Sequence, residues 1–167
     1  MVGDWRRSAE RPFWPALLIF SVTWLRVLTG DMPAVQAAEA EAIEGAFREA
    51  VSLWASERFE TLWERGDART REMISKEEFV FRMRDRALRP ACCFRQVQEL
   101  TVKFQTPQDA FVEAKMGFDS RTRGTTLDTI LTFYLRKEEG EWRVAVRDFL
   151  RLPDETLHRF FLPRADP

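Results

Sequence analysis

Asp148 is the carboxylate whose position is best suited to chemistry. It falls in phase with Trp142, Val144 and Val146, so on a strand over residues 142–150 the alternation places it on an otherwise apolar face. Burial among apolar groups disfavours the charged form and raises the pKa, which suits a carboxylate to abstract a proton near neutral pH. The same position also reads as a wet strand end, with Arg151 within reach to hold the carboxylate ionised. A catalytic role needs further polar groups to converge on it. His158 is the single histidine, so histidine metal clusters are excluded and any Asp–His pair must use it. It stands in the C-terminal stretch, either exposed there or folded back over a pocket mouth. Tyr134, the single tyrosine, offers a phenolic donor in a pocket or a sheet aromatic whose hydroxyl reaches water.

Other reactive residue types carry no pattern. Ser52, Ser56, Ser75 and Ser120 lack the glycine-flanked elbow of a serine nucleophile. Cys92 and Cys93 are adjacent, and neighbouring Cα atoms about 3.8 Å apart fall below the usual span of a disulfide. A bond between them would be easily reduced; otherwise the pair is two small hydrophobes entering a strand with side chains on opposite faces. No metal quartet and no cofactor motif is present, so no cofactor or metal is expected. Trp54, Phe59 and Trp63 either line an apolar pocket or, at helical spacing, form core.

The elements that position these residues follow from periodicity. Ile43, Phe47, Ala50, Val51 and Trp54 recur at steps of three and four within residues 38–56, an amphipathic helix. A second helix over 58–65 buries Phe59, Leu62 and Trp63 and stops at Gly66, a natural left-handed end. Ser75 and Glu78 form a capping box that opens a third helix through residue 89, carried by Phe79, Phe81, Met83 and Ala87, with Pro90 as exit. The period then changes to two. Leu100, Val102 and Phe104 make one strand, Ala110 to Phe118 the next after a Thr106-Pro107-Gln108-Asp109 turn, residues 125–137 a third and 142–150 the last. Residues 120–124 and 138–141 supply the remaining turns. The fold class is α+β: three N-terminal helices packed on a curved antiparallel four-stranded meander sheet.

Upstream, Arg6, Arg7 and Arg11 precede an uncharged run over residues 13–25, shorter than the roughly 20 residues that span a bilayer. Val35 and Ala37 suit the third and first positions before a signal-peptidase cut. Residues 1–37 are therefore expected to be a signal peptide, 38–152 the domain, and 153–167 a tail with a short helix carrying Leu157, Phe160 and Phe161. The alternative is an uncleaved anchor in which Arg26 snorkels. The chain has 167 residues and a net charge of −1, with basic residues scattered among acidic ones. Nucleic acid is excluded as a partner class, because phosphate recognition needs a concentrated positive surface.

The order of elements, with Phe59-Glu60-Thr61-Leu62-Trp63-Glu64 ahead of the Ser75 helix and Gly140-Glu141-Trp142 opening the final hairpin, resembles the nuclear transport factor 2-like superfamily over about residues 40–151. The resemblance implies a curved sheet wrapped around helices, a cone-shaped pocket and a homodimer through the sheet. Its members include isomerases, dehydratases, hydrolases and non-catalytic modules. The reading is an exported, periplasmic or secreted non-catalytic domain binding an apolar small molecule or an envelope protein. Alternatives are a cone-pocket enzyme using Asp148, and an envelope assembly component held at the inner membrane by the leader, the only membrane contact expected.

Overall fold

The computed structural model describes residues 32–85, 90–119 and 124–152. The leader's apolar run, the 120–123 turn, the tail and His158 lie outside them. Contacts divide the chain into Met1–Ala37 and Ala38–Pro167. The described part of the first unit is the opening of a helix, with exposed side chains at 34–37.

The architecture is α+β, as the periodicities predict. Helices α1 (Met32–Ala55), α2 (Phe59–Glu64), α3 (Ala68–Met73) and α4 (Lys76–Arg84) come first. Strands β1 (Phe94–Thr106), β2 (Asp109–Asp119), β3 (Thr126–Glu138) and β4 (Glu141–Val144) follow, all antiparallel in the order β1-β2-β3-β4. A short helix α5 (Arg147–Leu150) comes after β4. None of the described helices is long and apolar enough to cross a membrane.

The core forms where the apolar face of α1 meets the sheet. Ile43, Phe47, Val51 and Trp54 are buried, as are Ala110, Val112, Ala114, Met116 and Phe118 on alternate positions of β2. Phe47 meets Phe133 of β3 with ring centroids 5.0 Å apart. Each such large side chain contributes about 1.5–3 kcal/mol through removal from water. The sheet also curls. Three strand steps would separate β1 from β4 by about 14 Å on a flat sheet, yet the rings of Phe104 and Trp142 approach to 6.5 Å.

Several local expectations are corrected. The last strand ends at Val144; Ala145, Phe149 and Leu152, spaced four and three apart, are all buried, so the stretch read as period two turns helical. A helix absent from the sequence reading, α3, is capped by Asp67, whose Oδ1 accepts from the Thr70 N–H at 3.3 Å. Gly66 stops α2 without a left-handed φ: the positive-φ glycines described are Gly124 and Gly140. A Cβ on Gly66 would lie 2.9 Å from both γ-carbons of Val146, so close packing is what demands glycine there.

Ser75 caps α4 by accepting from the Glu78 N–H at 3.2 Å, but the Glu78 carboxylate pairs with Arg82 at 2.6 Å. The helix ends at Arg84, residues 86–89 lying outside the described set, and Phe81 is 61% exposed, since α4 buries Phe79, Val80 and Met83 instead. The cysteines precede β1 in a 3-10 turn, Pro90–Cys93. Cys93 is buried and disulfide-bonded, not the free thiol of the hydrophobe reading.

Candidate functional site

Asp148 sits in α5 rather than on a strand. Its side chain is 11% exposed, and Oδ2 accepts the backbone N–H of Tyr134 at 2.9 Å. The cause is local. Beyond the Leu135–Val144 pair, Ala145 still donates to the Tyr134 carbonyl at 2.8 Å, and the chain then turns away. The Asp148 carboxylate takes over the ladder position that a longer β4 would have filled. Desolvation pushes its pKa up, opposed by the Tyr134 N–H and by Arg147 and Arg151, and reinforced by the charge of Asp67. Both arginines approach Asp148 to 3.9 Å. The carboxylate is desolvated, but on a helix among polar groups rather than on the apolar strand face expected of it, and the Tyr134 N–H occupies it.

Tyr134 and Asp148 meet only through the tyrosine's main chain. The phenolic hydroxyl donates to Asp109, to which Arg136 also donates at 2.9 Å and Thr106 at 2.9 Å. Those bonds, Tyr134 first, hold the Asp109 carboxyl below the ordinary aspartate range. Burial and the Asp109 bond raise the Tyr134 hydroxyl. This network, flanked by the Phe111 ring 5.5 Å from Tyr134, ties the β1–β2 turn to β3.

Trp54 and Phe59 are core. Trp54 is 1% exposed between Phe94 and Phe149, each with ring centroid 5.7 Å away. Trp63 is half-buried, donating from Nε1 to the Ile74 carbonyl at 3.0 Å beneath the Lys76 ammonium. None of the three lines the cavity between α1 and β4, and no cluster of three or more His, Cys, Asp or Glu able to hold a metal occurs among the described residues.

That cavity, of about 360 Å³, lies between α1 and β4. Its floor on α1 is Ala42, Ala46 and Ala50, small side chains one helical turn apart. Leu62, Val144 and Val146 add apolar wall, and Gly140 to Arg143 with Arg65 form the opposite side and rim. Rim charges are paired: Glu49 with Arg65 at 3.5 Å, and Arg143 with Glu141 at 3.3 Å and Glu138 at 3.8 Å. Glu39 of α1 holds the hairpin in place, accepting from Lys137 Nζ at 2.6 Å and Trp142 Nε1 at 2.7 Å. Those two bonds, Lys137 first, lower its pKa.

Sequence reasoning missed these residues, although the signal was present: alanines at 42, 46 and 50 form a row where larger side chains would have filled the space. The volume falls within the roughly 300–1,000 Å³ usual for small-molecule sites. No family model matches the chain, and no curated protein matches it.

Proposed function

We propose that residues 38–152 form an exported binding domain of the nuclear transport factor 2-like type, which takes a small, largely apolar molecule in the cavity between α1 and β4. The carrying observation is that cavity: about 360 Å³, floored by three alanines and bounded by a β-hairpin that Glu39 fastens to α1. The export reading rests on the Arg-bearing start, the uncharged run over 13–25 and the small residues around Ala37. The family reading rests on helices followed by a curled antiparallel meander that ends in the Gly140–Trp142 hairpin.

A binding role without catalysis accords with the residues present at the site. The cavity wall offers main chain, alanines and paired charges, while Asp148 is engaged with the Tyr134 N–H and is not part of that wall.

Titration with N-phenyl-1-naphthylamine, an uncharged apolar fluorophore, tests the reading. Saturable one-site enhancement that Ala46→Trp abolishes is expected, because the indole fills the cavity. Ala42→Leu, at the exposed end of the alanine row, is the milder filling variant and should weaken binding. Undiminished binding in both folded variants would overturn the assignment.

A further inference from the structure

One edge of β4, a strand that lines the cavity, is unused. In an antiparallel ladder, hydrogen-bonded and non-hydrogen-bonded pairs alternate. Ala145 donates to Tyr134, so Arg143 and Glu141 also face β3, while Val144 and Trp142 direct their main-chain groups away from it. The Val144 carbonyl confirms the phase, accepting from the Asp67 N–H at 3.0 Å on the far side. Lys137, opposite Trp142, bonds the Gln108 carbonyl rather than β4. Among the described residues, the main-chain N–H and C=O of Trp142 have no protein partner. They lie on the free edge of β4, whose residues line the cavity.

Gly66 already uses this edge one step along, making an isolated parallel bridge to Val144. A donor and an acceptor held side by side on one residue match the N–H and C=O that one residue of an extended peptide presents on one edge, as in strand addition. The charges favour a neutral partner. Glu49, Arg65, Glu141 and Arg143 are engaged with one another or with Glu138, so an ionic ligand would have to break a pair or enter uncompensated.

We propose that the cavity selects uncharged ligands with an amide N–H and a C=O on one edge, which pair with the Trp142 main chain while an apolar group lies over Ala42, Ala46 and Ala50. This rests on the binding function proposed above and adds the chemical class of the ligand. Recognition of an amide edge leaves no donor or acceptor orphaned in the site.

The test uses isotope-labelled protein titrated with N-acetylleucinamide and, separately, N-acetylleucine, read at the Trp142 backbone amide resonance. The expected result is a saturable shift of that resonance with the amide, an affinity for the carboxylate weaker by about tenfold or more, and loss of the shift in Ala46→Trp or Ala42→Leu. Equal or tighter binding of the carboxylate, or amide binding that leaves the Trp142 resonance unmoved, would overturn the amide class. If the fluorescent dye still binds in those cases and the filling variants displace it, the binding function stands and only the ligand class fails. If neither dye nor amide binds the wild-type protein, both fall.

Discussion

At Asp148 the chemistry and the fold draw on one carboxylate. Because desolvation raises its pKa above the ordinary value of about 3.9, the folded state holds the proton more tightly than the unfolded one. Its contribution to stability is therefore full below the unfolded value and is lost as pH rises through the folded value. Asparagine keeps an oxygen to accept the Tyr134 N–H without the buried charge. Asp148→Asn should melt no lower than wild type at pH 7, with a gain of up to about 1 kcal/mol, and that gain should vanish as pH falls below about 4. A wild-type advantage at pH 7 in thermal melts would show that Arg147 and Arg151 outweigh desolvation. Glu39 has the opposite sign. Its pKa is lowered by Lys137 and Trp142, so its stabilisation is present above the ordinary glutamate value and lost as pH falls through the lowered one. Glu39→Gln should lower the melting temperature at pH 7 and converge with wild type in acid, measured by the same melts.

Among the elements, the two turns framing β4 set the cavity's shape. Gly66→Ala forces a methyl to within 2.9 Å of Val146, at a cost of about 1–3 kcal/mol in chemical denaturation. A cost below about 0.5 kcal/mol would mean that the Val146 side chain yields freely to the added methyl. Gly140 has φ +87° and follows Glu139 at φ +53° in a two-residue hairpin turn, the primed geometry that suits strand twist. Gly140→Ala should cost about 1 kcal/mol. Much at this scale was legible from sequence: the apolar steps of α1, the alternation of β2, the Ser75 cap and the 138–141 turn each obey one local rule. The failures are places where two rules compete. Residues 145–152 satisfy both a two-residue and a helical spacing, and burial of Phe149 and Leu152 decides for the helix. Asp67 is a good N-cap, but its helix is only six residues long and is held by a distant group, the Glu138 carboxylate accepting from the Ala68 N–H at 2.9 Å. The cavity was hidden because it is defined by what the alanines leave empty across a contact between α1 and a strand nearly 100 positions away.

For the whole molecule, the proposed export of the domain predicts a particular processed form. Intact mass after cell fractionation of a bacterial host should show a soluble species beginning at Ala38 or Glu39; a full-length membrane species would favour the tethered envelope component. The central claim, that the α1–β4 cavity is the binding site, is tested most directly by hydrogen exchange read by mass spectrometry, with and without saturating N-phenyl-1-naphthylamine. Protection confined to peptides covering residues 42–50, 62–65 and 140–146 is the predicted result. Protection confined instead to peptides covering residues 51–56 and 94–97, which line the second groove beside β1, with 140–146 unchanged, would contradict it.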